Sequence, residues 1–257
     1  FSPTNIGLNV GPKRTLSVAL SLMRNGHADW CLLKKGDTFT NQTLGNWEGI
    51  SGRSVAQRML VGAYSTGARP IIKTGIQTCV YLPNHHNPGN YLAFVGIEMY
   101  AHTRAANEQC RGVLFYDISD SLLIEDCYIH NYFHGITIAF ATAGYRHSNV
   151  SIRGNVIADN ASTDGSFAQG IYCETTDGIT VEWNVLDNNV WYDGVSSPDY
   201  VHLHNVYLHN DNTIAVLKNN IITRTDAAQV RCGGIVTGNV ASKCVLAISV
   251  GAGTVPQ

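Results

Sequence analysis

Four short segments carry the residues best suited to chemistry: HGITI (134–138), QGIYC (169–173), HNVYL (204–208) and AQVRC (228–232). They align at steps of 35, 35 and 24 residues. Each alternates apolar and other residues, the signature of a strand with one buried face. Alternation turns Ile136, Ile171, Val206 and Val230 inward, and with them Ile138, Cys173, Leu208 and Cys232. Three outward rows remain. The middle row is Thr137, Tyr172, Tyr207 and Arg231. The row after it is Ala139, Glu174, His209 and Gly233, and the row before it is Gly135, Gly170, Asn205 and Gln229. Strands stacked in parallel place neighbouring row members within roughly 5–10 Å of one another.

Three chemistries fit such a strip. The first is β-elimination on a uronate polymer. Arg231, or Lys218 reaching across, neutralises a carboxylate, and Tyr172, Tyr207 or His209 removes the C5 proton. The second is glycoside hydrolysis by two carboxylates about 5–10 Å apart, with Glu174 paired to Asp211, Asp193 or Asp164. The third is glycan binding without turnover, with tyrosine faces against sugar rings and Thr137, Asn205, Gln229, His204 and Lys218 as polar contacts. Blander readings stand beside these. Exposed tyrosines on stacked strands form ladders, and Arg231 can be a surface ion-pair partner.

No metal ligand and no cofactor is assigned. His202, His204 and His209 fall on different strand parities, so one ion cannot take all three from a straight strand. Asp211, between Asn210 and Asn212, is one acid where calcium wants several, though calcium is the one ion the segment suggests.

The elements that hold this strip are legible in a repeat. SLLIEDCYIHN (121–131), NVSIRGNVIADN (149–160), GITVEWNVLDNN (178–189) and TIAVLKNNIITR (213–224) share one pattern: alternating apolar residues, a small polar residue, then a second apolar pair. Alignment stacks Ile124, Ile152, Val181 and Val216. It also stacks Cys127, Asn155, Asn184, Asn219 and Asn239, at steps of 28, 29, 35 and 20. A unit of two short strands cannot bury its face alone, so periods of this size predict a stacked solenoid. The recurrent Asn marks a bend, where its amide bonds backbone groups of neighbouring coils.

Ahead of the repeats, Pro12–Arg24 reads as a helix with Leu16, Leu20 and Met23 on one face, stopped by Asn25-Gly26. Trp30–Leu33, Leu60–Tyr64, Pro70–Ile72 and Leu92–Val95 read as strands. The chain is read as one domain over 1–257, with a capping helix over 12–25 and stacked coils over 60–240.

This pattern resembles the right-handed parallel β-helix proteins of the pectin-lyase-like superfamily. The helix followed by DWCLLKKGDTF (29–39) looks like that family's cap and first coil, and LVGAYSTGARPII (60–72) and YLAFVGIEMY (91–100) look like early rungs. The resemblance implies an all-β fold and a polysaccharide-active protein, a lyase more than a hydrolase, or a tail-spike-like structural and adhesive member. It names no enzyme family. Ser162-Thr163-Asp164-Gly165 is similar to the first acidic motif of polygalacturonases, but Phe133-His134-Gly135 lies upstream, in the wrong order for their later motif. Pro198-Asp199 reverses the start of the alginate-epimerase motif, and the acidic calcium cluster of pectate lyases is absent.

Composition agrees. The 257 residues carry 44% apolar residues and a net charge of −2, which excludes disorder and a general nucleic-acid binder. Charged residues are only 14%, against about 25% in ordinary domains. The 25 Gly and 22 Asn supply turns. No apolar run nears the roughly 20 residues that span a bilayer. Few charges, many Asn and a start without Met point to a processed, secreted protein. Of seven cysteines, Cys173 and Cys232 sit about two rungs apart, too far for a bond, whereas Cys232 pairs with Cys244 if the last coil folds back. The last residues, AISVGAGTVPQ (247–257), hold no capping element, so a further stretch of chain or a second copy is expected over that end.

Overall fold

The computed structural model describes residues 12–83, 87–105, 108–116, 118–139, 144–162, 167–189 and 203–251. Described strands form three eight-stranded sheets, and every pairing between neighbouring strands is parallel. Successive strands in the chain go to the first, second and third sheet in turn, so each coil contributes one strand to each wall. This is a right-handed parallel β-helix. No described helix is long and apolar enough to cross a membrane.

The core is a set of columns along the axis. Ile124, Ile152, Val181 and Leu217 are fully buried and in register on the first wall. Ile129, Ile157, Leu186 and Ile222 form the second column, and Ile136, Ile171 and Val206 the third. Period-2 strands need only one apolar residue every second position to fill such a column.

The helix is shorter than its sequence pattern. It covers Leu16–Leu20, against the expected 12–25. Thr15 makes no side-chain cap, the first turn has no acid, and the Leu16 N–H is taken by Gln42 Oε1 at 2.7 Å. Only Leu16 of this segment is fully buried, so tertiary contact supports little more than one turn.

The asparagine column is real, with one correction. Asn155 Oδ1 accepts from Cys127 N, Asn184 Oδ1 from Asn155 N, Asn220 Oδ1 from Asn184 N, and Asn239 Oδ1 from Asn220 N, all at 2.9–3.0 Å. The member from the fourth coil is Asn220, not Asn219, and Leu217, not Val216, lies over Val181. Asn219 instead adopts φ 55°, the left-handed corner conformation before the ladder. Two adjacent Asn residues satisfy both needs, and pattern matching chose the wrong one.

A second ladder lines the corner between the second and third sheets. Tyr132 N donates to Asn160 Oδ1, Asn160 N to Asn189 Oδ1, Asn189 N to Asn205 Oδ1, and Asn205 N to Thr225 Oγ1. All seven cysteines are free thiols, so Cys232 is bonded to neither Cys173 nor Cys244.

Candidate active site

The third sheet carries the strip, and its outward columns differ from strict alternation. His134, Gln169, His204 and Ala227 are one in-register column. Thr137, Tyr172, Tyr207 and Gln229 are the next. His134 and Thr137, three residues apart, share a face: His134 Nδ1 and Thr137 Oγ1 are 2.8 Å apart. Likewise the His204 ring stacks on Tyr207 at 5.3 Å and 8°. An irregularity at each strand entry shifts the parity by one.

Gly135, Gly170 and Asn205, expected outward, therefore face the corner ladder. A Cβ on Gly170 would lie 2.5 Å from Asn205 O and 2.8 Å from Asn189 Nδ2. Asn205 is fully buried, its amide donating to Leu186 O and Thr223 O, so it stands in the corner ladder and not on the outward strip.

Arg231 is also displaced. Gln229, not Arg231, is paired with Tyr207, because the register shifts between His204 and Val206 and puts Ala228 over Val206. Sequence alignment had matched Val230 to Val206 by residue type. The backbone bonds Glu174 N to Ile138 O, His209 N to Cys173 O and Arg231 N to Leu208 O, at 2.8–2.9 Å, then build a third column just past the strand ends. It reads Ala139, Glu174, His209, Arg231. Lys218 is elsewhere: it closes a first-sheet strand and pairs with Glu182 at 2.9 Å.

Within the strip the polar groups are mutually engaged. Tyr172 and Tyr207 stack at 5.7 Å and 8°, so their rings face each other and their hydroxyls remain for polar work. The Tyr172 hydroxyl donates to Glu174 Oε2 at 2.5 Å. Arg231 Nη1 donates to the Tyr207 hydroxyl at 2.7 Å. His209 Nδ1 lies 2.9 Å from Asp211 Oδ1. Glu174 is buried, while His209 and Asp211 are half-buried. One ligand atom each from Glu174, His209 and Asp211 lie within 4.8 Å of one another.

Burial and the neighbouring Glu174 push the Tyr172 hydroxyl well above the ordinary tyrosine range, so it stays protonated. Burial alone would raise the Asp211 carboxyl. The Thr175 backbone N–H and the His209 ring outweigh it, leaving Asp211 below the usual aspartate range. Burial pushes His134 down to about 3, with Arg111 adding to the shift, so it is neutral at physiological pH.

Thr137 stands in its expected column but is buried, its hydroxyl engaged with His134. His204 is buried beside Asp226, Nδ1 to Oδ2 3.8 Å. Sequence reasoning missed the His134–Gln169 column, which only the parity shift exposes. Asp211 is one of the three acids that the sequence offers as a partner for Glu174. Asp164, Asp193 and His202 lie outside the described residues.

No family model and no curated protein matches the chain. Two crystal structures of the GH136 lacto-N-biosidase from Eubacterium ramulus are similar in fold. The selenomethionine derivative aligns with TM-score 0.50 and 16% identity over 95% of this chain and 54% of that one. The native protein aligns with TM-score 0.47 and 17% identity over 94% and 54%. The chain thus spans about half the length of these solved chains. In fold, the chain is a right-handed parallel β-helix, its described strands in three parallel sheets.

Proposed function

We propose that the chain is a glycoside hydrolase that works by a two-carboxylate, retaining mechanism on the third-sheet strip. The observation that carries this reading is the approach of Glu174 and Asp211 oxygens to within 4.8 Å. Retaining glycosidases hold their two carboxyl groups about 5–5.5 Å apart. Asp211, held below the usual aspartate range, is the nucleophile. Glu174 takes the other role, as acid and then base. Tyr172 donates to Glu174 Oε2 and so fixes the orientation of this carboxyl group. In the reaction a proton passes from the Glu174 carboxyl to the glycosidic oxygen as Asp211 attacks the anomeric carbon. Glu174 then deprotonates the water that releases the sugar from Asp211.

The fold likeness to a lacto-N-biosidase is in keeping with a glycan substrate. Secretion and an extracellular glycan belong to the same proposal. Tyr172 works against elimination, because a phenol that stays protonated cannot accept the C5 proton. One contact favours elimination as a second reading: Arg231 on the Tyr207 hydroxyl, which suits a uronate polymer with Tyr207 as base.

Incubation with a panel of neutral and acidic oligosaccharides separates these. New reducing ends with retained anomeric configuration, read by proton NMR, are expected. Inverted product removes the nucleophile assignment. An absorbing unsaturated product without saturated reducing ends gives the site to elimination. Binding without turnover, unchanged in Asp211→Asn, leaves an adhesive β-helix.

A further inference from the structure

We propose that Glu174, His209 and Asp211 are also a binding site for a zinc-class divalent ion, and that the ion and the hydrolytic chemistry exclude each other. The exclusion rests on the hydrolase reading; the ion site does not. The three ligand atoms already lie within 4.8 Å of one another, with His209 Nδ1 and Asp211 Oδ1 at 2.9 Å. Zinc bonds of about 2.0–2.2 Å in a tetrahedral arrangement put ligand atoms roughly 3.3–3.6 Å apart. His209 Nδ1 and Asp211 Oδ1 need only open slightly from 2.9 Å, and Glu174 stands within side-chain reach of the same ion.

The donor set selects the ion class. One imidazole nitrogen and two carboxylates are a three-residue zinc set, leaving the fourth position for water. Calcium takes six to eight oxygen ligands, and two carboxylates supply too few. The turn that carries two of the ligands is pinned. Asn212 N donates to His209 O, Asn212 Nδ2 donates to His209 O and Cys173 O, and Thr175 N donates to Asp211 Oδ1. Glu174 arrives from the adjoining rung, its N–H held by Ile138 O. Ligands held by the fold before the ion arrives lose less freedom on binding. Arg231 follows His209 in the same column, and its positive charge works against a cation there.

Exclusion follows from the shared atoms. A carboxylate lone pair bound to a metal is not free to attack an anomeric carbon, and a bound Glu174 cannot carry the proton.

Calorimetric titration of the chelator-treated chain with zinc chloride, without glycan, tests the site. One ion per chain is expected, bound at least tenfold more tightly than calcium. His209→Ala and Asp211→Asn, each checked for an unchanged circular-dichroism spectrum, weaken zinc at least tenfold. No one-to-one heat, equal binding by the variants, or calcium bound as tightly overturns the site. Saturating zinc lowers hydrolysis by the chelated chain at least tenfold, and undiminished hydrolysis overturns the exclusion. A chelated chain that hydrolyses no glycan sinks the hydrolase reading and the exclusion with it, while the calorimetry still decides the ion site.

Discussion

Glu174→Gln is expected to lower kcat by roughly 10²–10⁴-fold, the range for loss of a positioned general acid. A thousandfold loss corresponds to about 4 kcal/mol of transition-state stabilisation. Gln preserves the volume and still accepts the Tyr172 hydroxyl on its carbonyl oxygen, so folding and substrate binding should hold while proton transfer fails. Asp211→Asn should cost at least as much, because an amide cannot form the glycosyl intermediate. Steady-state kinetics on the best substrate of the panel reads both. Equal losses in kcat and kcat/KM are expected, and a rise in KM alone would make these residues binding groups.

The pH profile carries a second sign. Asp211 is held below the usual aspartate value of about 3.9. Falling pH protonates it only once that depressed value is passed, so the acidic limb of kcat/KM should lie below pH ~3.9. His209→Ala removes one of the groups that hold Asp211 down, and the limb should move upward in pH. A limb that stays in place would separate His209 from Asp211 in function.

Asn184→Ala should be the most damaging conservative truncation in the fold. Asn184 Oδ1 accepts from the N and the Nδ2 of Asn155, and its Nδ2 donates to Ile152 O and Asn220 Oδ1, at 2.9–3.0 Å. The residue is buried, so water cannot take over these bonds. Each stranded buried polar group costs ~1–3 kcal/mol, which makes ~3–5 kcal/mol a reasonable loss. At ~2–4 °C per kcal/mol for a chain of this size, thermal unfolding should drop by about 6–20 °C. Asn239→Ala is the internal control. It ends the same ladder but is only half-buried, so solvent replaces its bonds and the drop should be much smaller. Equal shifts in the two variants would mean that the ladder is a by-product of packing and not a support for it.

The coils were legible because their cause is local. Period-2 apolar residues, a bend residue and a second apolar pair recur at each coil, and burial on one face leaves a stack as the stable arrangement. Tyr172, Tyr207, Glu174 and His209 were placed on one strip for the same reason. Asn219 was misplaced by one residue and Arg231 by two, because slips of this size put a residue of similar type in the same column. Val230 suits a column over Val206 as well as one over Leu208, and only the register shift between His204 and Val206 chooses. Asn205 was misread because strict alternation cannot register an irregular strand entry.

The chain's own residue order settled the solenoid, its bends and which wall bears the tyrosines, since each depends on periodicity within one coil. The tertiary structure alone decided which atoms meet: Glu174 beside Asp211, Arg231 on Tyr207, Lys218 on another wall. Those contacts join different rungs, and the height of one rung over the next is set by backbone hydrogen bonds between coils, which no pattern along a single strand encodes.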